Sequence, residues 1–289
     1  MCRDRIQALP CWEQVLSIEP LNGGITNRNF LVREPSRQRV VRMLSDGSCL
    51  GIDRRNERAC QSAACQAGVS PALVHADAEI LVTEFVVGEV LQSDALHRGT
   101  SRQRMADLLQ QLHASGRVIA GQLLYFCPFQ TIRMYVDTAR QLGAVLPSDI
   151  DTLVQNVQQL ADRMQPFQPT LCHNDLLPAN VVDDGKRLWL IDWEYAGIGN
   201  PLFDVAGVAA NFQLTREETE DLLRCYLGRS PGTAGQDVRI LLAASLLREA
   251  LWAVIQTRAS SLEFDFAGYA AKHLDAFRET VSEFAETSP

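Results

Sequence analysis

The sequence predicts an α+β fold in two lobes, a small antiparallel sheet followed by a larger, mainly helical part. Three observations predict it. Short β-rich segments separated by turn residues run from Ile18 to Val86. After Gly88 the apolar residues fall at helical spacing, as in Met105, Leu108, Leu109 and Leu112. The helices are then interrupted by His173-Asn174-Asp175-Leu176-Leu177-Pro178-Ala179-Asn180, with Asp192-Trp193-Glu194 following after an apolar strand. The expected division is residues 1–88 and 89–289.

A chain of 289 residues can bury a sizeable core. Its 27 Lys+Arg against 35 Asp+Glu give a net charge of −8, which argues against a nucleic-acid partner. No apolar run reaches the ~18–20 residues of a membrane span, and Met1-Cys2-Arg3-Asp4-Arg5 lacks a signal-peptide core. Eight scattered cysteines without a C-x-x-C predict reduced thiols and a cytoplasmic protein.

The elements follow in order. Residues 1–17 read as an amphipathic lead-in helix. Ile18 to Val32 reads as strand, glycine turn, strand. Gly23 and Gly24 let backbone N–H groups approach a phosphate, though taken alone such a pair is more often a plain hairpin turn. Asn27 lies in the same turn. A third strand, 39–44, carries Arg42, a cation able to grip phosphate with two donors. A helix over 53–68 carries Glu57, the carboxylate expected to pair with Arg42. Strands over 70–75 and 80–86 close the sheet before a hinge at Val87-Gly88-Glu89. Helices are expected from Thr100 to about Gly116, over 129–144 and over 148–164, with His113 in the core.

The interrupting motif has the layout of phosphoryl-transfer chemistry. A loop leaves Asp175 free to face a hydroxyl, and the end of the strand Leu188–Ile191 aims Asp192 at the same space. An Asn amide oxygen and carboxylates suit Mg²⁺, so Asn180 and Asp192 are the expected ligands, with Glu194 as a further contact. His173 is expected to brace the loop by hydrogen bonds.

This motif, with Ile191-Asp192-Trp193-Glu194-Tyr195-Ala196-Gly197 and Pro201-Leu202-Phe203-Asp204, resembles the choline/ethanolamine kinase family, within the wider group that includes aminoglycoside phosphotransferases. The resemblance covers nearly the whole chain. It implies a two-lobed protein-kinase-like fold, with ATP and Mg²⁺ as cofactors. Gly23, Gly24, Asn27, Arg42 and Glu57 would lie on the phosphate side, and Glu84, Phe85 and Val86 beside the adenine. Asp204 matches a buried aspartate that supports the catalytic loop. Trp252, Gln256, Phe264, Phe266 and Tyr269, joined by Tyr195, match the wall that holds a quaternary ammonium through its aromatic faces. One position departs from that pattern. Glu249 stands where the eukaryotic enzymes have a further tryptophan, which leaves room for ethanolamine or another cationic alcohol. The expected reaction is phosphorylation of choline. The alternatives are an ethanolamine kinase, a thiamine kinase and an inactive nucleotide-binding scaffold. No sequence feature sets the oligomeric state.

Overall fold

The computed structural model describes residues 2–21, 28–44, 47–115 and 123–286. Gly23, Gly24 and Asn27 lie outside the described residues. Helix α1 (Cys2–Gln7) is shorter than the expected lead-in helix. Pro10 cannot continue it, and the chain turns back onto the sheet. There the Trp12 indole donates to the Ile6 carbonyl at 2.6 Å. The Arg39 guanidinium donates to the Cys11 carbonyl at 2.5 Å.

Strands β1 (Ser17–Leu21), β2 (Arg28–Arg33), β3 (Gln38–Met43), β4 (Leu73–Ala76) and β5 (Ile80–Glu84) form one antiparallel sheet in the order β1-β2-β3-β5-β4. Its core is Val32, Val41, Ile80 and Val82 with Ile6, all fully buried. β4 starts three residues later than expected, because Ser70 and Pro71 are held by the Gln61 amide at 2.7 and 3.1 Å rather than by the sheet. Between β3 and β4 runs α2 (Arg54–Gln66). Its N-cap, Asp53, accepts from the amides of Arg55 and Asn56 at 2.7 and 2.9 Å.

Past the hinge, β6 (Glu89–Val90) pairs with β8 (Val181–Asp183), which pairs with β9 (Leu188–Leu190). Gly88 makes this approach possible, since a Cβ there would stand 2.4 Å from the Asp183 carbonyl oxygen. A second small sheet joins β7 (Thr170–Cys172) to β10 (Gly197–Gly199). The helices are α3 (Gly99–Ser115), α4 (Pro128–Gln141), α5 (Ile150–Ala161), α6 (Pro201–Asn211), α7 (Arg216–Leu227), α8 (Ala234–Ala259) and α9 (Phe266–Glu286). α4 stops earlier than expected, with Gly143 in the left-handed region just beyond its end.

α8 is the axis of this part. It is buried almost continuously from Val238 to Gln256, because α4, α6 and α9 pack around it. Among the described residues no helix is long and apolar enough to cross a membrane. No disulfide joins the described cysteines.

Candidate active site

Local chemistry fixes the loop after β7. Asn200 caps α6 by accepting from the Leu202 amide at 3.0 Å, and Pro201 opens the helix. One turn in, the buried Asp204 accepts from the backbone amides of both His173 and Asn174 at 2.8 Å. Its Oδ2 also meets His113 Nε2 at 3.0 Å. The His173 ring bonds through Nε2 to the Ile191 carbonyl at 2.9 Å and packs on Trp193 with centroids 4.6 Å apart. Burial lowers its pKa, so the ring is a neutral strut between loop and strand end. Asn174 adopts φ 63°, which a short amide tolerates, and donates to the Tyr195 carbonyl at 3.0 Å.

Held this way, Asp175 projects into a cavity of about 110 Å³. Asn180 Nδ2 donates to the Asp175 carbonyl at 2.8 Å and to its Oδ2 at 3.2 Å. Asp192 leaves the end of β9 with φ 68°, turning its carboxylate back toward the same cavity, and Glu194 follows. Burial pushes the Asp175 carboxyl up to about 7. The Arg248 guanidinium opposes that rise, and Glu249, Asp192 and Glu194 add to it.

Beside Asp192 and Glu194 lies a compact ionic network. Arg42 Nη1 lies 2.7 Å from Asp192 and 3.2 Å from Glu57, and Nη2 lies 2.6 Å from Glu194. Arg54 Nη1 joins Glu57 at 2.7 Å and Glu194 at 3.1 Å. Burial opposes the Arg42 charge, but Asp192, Glu194 and Glu57 outweigh it and hold the guanidinium charged. Burial, then Asp192, pushes the Glu194 carboxyl upward, while Arg42 and Arg54 pull it down.

Magnesium fits this donor set. Asn180 Nδ2 is engaged by Asp175, which leaves Oδ1 as its free ligand atom. Asp192 Oδ1 is buried without a hydrogen-bond donor and meets Arg42 only as an ion pair. Oxygens of Glu57, Asp192 and Glu194 lie within 4.8 Å of one another.

On the other side the cavity is walled by Tyr195, Arg248, Glu249, Trp252 and Tyr269. The Trp252 and Tyr269 rings meet edge-on with centroids 6.1 Å apart. Three expected wall residues stand elsewhere. Phe266 packs behind Trp252 in the core, with ring centroids 5.8 Å apart. Phe264 is 43% exposed. Gln256 is buried one turn beyond Trp252 and is not on the cavity lining. At the hinge, the amides of Glu84 and Phe85 are engaged by the carbonyls of Ala72 and Gln38. A larger groove of about 1020 Å³ between α7, α8 and α9 contains none of these groups.

Sequence reasoning passes over two residues. Arg54 has no motif, yet an arginine in a first helical turn opposes the helix dipole and so signals a partner elsewhere. Arg248 sits beside Glu249 in an otherwise apolar run, the mark of a buried ion pair.

Comparison with known proteins agrees with this geometry. The profile of the "Phosphotransferase enzyme family" matches residues 17–238. Protein LicA of Haemophilus influenzae is 26% identical, over 90% of this chain and 79% of its own length. Ethanolamine kinase 2 of Mus musculus is 30% identical, over 90% of this chain and 75% of its own. A solved choline/ethanolamine kinase family protein from Mesorhizobium loti superposes with a TM-score of 0.79 at 27% identity, covering 96% and 93% of the two chains. With these relatives and this geometry, the chain belongs to the phosphotransferase enzyme family, among its choline/ethanolamine kinases, and is a small-molecule kinase.

Proposed function

We propose that the protein transfers the γ-phosphoryl group of ATP to the hydroxyl of a small cationic amino alcohol. The observation that carries this reading is the position of Asp175. It is a nearly buried carboxylate on a braced loop, with oxygen ligands on one side and aromatic rings plus Glu249 on the other. Asp175 orients the acceptor hydroxyl and takes its proton. The hydroxyl oxygen bonds to the γ-phosphorus, the bond from that phosphorus to the β-bridging oxygen breaks, and ADP leaves. Asn180, Asp192 and Glu194 would hold Mg²⁺, which when bound neutralises charge on the phosphate oxygens.

Arg42, set by Glu57, would contact the phosphates, with Gly23, Gly24 and Asn27 beside them. Adenine would meet the chain at Val86, the hinge residue after the two engaged amides. In this reading residues 1–88 serve the nucleotide and residues 89–289 serve the acceptor. The cytoplasm, reducing and rich in ATP, suits a set of cysteines that forms no disulfide.

Choline and ethanolamine are the acceptors the family relationship brings forward. The test is ADP release by the purified protein with Mg-ATP over choline, ethanolamine, thiamine and an aminoglycoside. One of the first two should stimulate turnover. Asp175→Asn should lower kcat by ~10²–10⁴-fold while the thermal shift induced by nucleotide survives. Full activity in that variant, or no alcohol-dependent ADP, would sink the reading.

A further inference from the structure

Arg248 and Glu249 are neighbours on α8, both buried and both on the acceptor side of the cavity. Arg248 Nη2 donates to Asp175 Oδ1 at 3.0 Å and also to Glu249 Oε1. Glu249 Oε2 accepts from the Tyr269 hydroxyl at 3.3 Å. The other guanidinium nitrogens, Nε and Nη1, have no hydrogen bond. The guanidinium lies against the rings of Tyr195 and Phe126, 5.2 and 5.9 Å from their centroids. A single nitrogen thus bridges two carboxylates, one addressed to the reacting hydroxyl and one on the aromatic wall.

We propose that Glu249 is the hydrogen-bonding receptor for the acceptor's ammonium group, and that Arg248 is a positioning residue that yields Glu249 Oε1 to the incoming N–H while keeping its bond to Asp175. The pocket then favours ammonium groups that carry N–H bonds over a fully methylated one. This rests on the amino-alcohol kinase reading given above.

The chemistry is an exchange of donors. A primary ammonium replaces the Arg248 donor at Glu249 with its own, so no buried oxygen loses its partner. A trimethylammonium has no N–H. It can be held only by charge and ring faces, and by displacing Arg248 it would leave Glu249 Oε1 without a donor. The ring enclosure a quaternary ammonium needs is also incomplete, because neither Phe264 nor Phe266 lines the cavity, Phe264 packing on Phe266 and Tyr269 and Phe266 backing Trp252. Arg248 serves a second purpose. Without it, Asp175 and Glu249 would be two buried carboxylates repelling across one small cavity.

The test is kcat/KM for ethanolamine, N-methylethanolamine, N,N-dimethylethanolamine and choline with Mg-ATP. Ethanolamine should exceed choline by at least about tenfold, the weight of one charge-assisted hydrogen bond. The steepest step should come with loss of the last N–H. In Glu249→Gln that ratio should shrink toward one while KM for ATP and the nucleotide thermal shift stay as in the wild type. Arg248→Met should lower kcat with every alcohol, and Arg248→Lys, which restores a donor, should recover part of it. Choline turned over as well as or better than ethanolamine would overturn the assignment, and the wild-type series alone decides this. An unchanged ratio in a Glu249→Gln protein that still binds nucleotide would overturn it too. Turnover of none of the four alcohols is a different result, since it removes the phosphotransfer reading itself.

Discussion

Asp204 shows how one side chain can set a reaction loop. Its carboxylate receives two consecutive backbone N–H groups and a histidine, all out of contact with water. Asp204→Asn keeps the shape but turns an amide NH₂ toward donors that need an acceptor. The expected cost is ~3 kcal/mol, read as a lower urea midpoint with an unchanged slope, together with a fall in kcat. In the proposed reaction Asp175 carries the pH dependence. Burial pushes its carboxyl up to about 7, and a base must be ionised to accept a proton. The acceptor's kcat/KM should therefore fall as pH drops below about 7, about tenfold per unit at the acid end. A flat profile from about pH 5 to 8 would separate Asp175 from proton transfer. The motif residues are legible in sequence because their offsets are local, from His173 to Asn180 and on to Asp192. Arg248 is not, since its meaning depends on a carboxylate seventy-three positions away.

Helix α2 delivers Glu57 and Arg54 to the ionic network, and its first turn decides their position. Asp53→Ala removes the side-chain acceptor for two orphan amides there. A loss of ~1 kcal/mol in chemical denaturation and a raised KM for ATP, with KM for the alcohol unchanged, are the expected results. The elements themselves are largely readable, because β-rich runs and helical periodicity are short-range patterns. What escapes is where a partner outside the element trims it. The lead-in helix ends after Gln7, where the chain folds back onto the sheet. β4 starts late because Gln61 holds the residues before it. The aromatic series after α8 is equally clear as a series. Which of its rings face the cavity is set by the loop Ser260–Asp265 and by the packing of α9, and no periodicity reports either.

At the scale of the molecule, the sheet and the helical part are stitched together by a few polar side chains. Asn56 donates to the Ala196 carbonyl at 2.7 Å and accepts from the Leu124 amide at 2.9 Å. Arg42 ties β3 to the residues after β9. The two-part architecture is visible in sequence as a change of pattern at Gly88. The stitching is invisible there, being made of contacts 68 to 152 residues apart. The threefold carboxylate grip on Arg42 has one more consequence, for ionic strength. In the proposed nucleotide complex a phosphate reaching Arg42 would compete with carboxylates the protein itself supplies, so binding would exchange one ion pair for another. Added salt weakens both sides of that exchange. Nucleotide affinity should accordingly decline only shallowly between about 0.05 and 0.5 M NaCl when measured by calorimetry. In Glu57→Gln, where the internal competitor is weaker, the decline should be steeper.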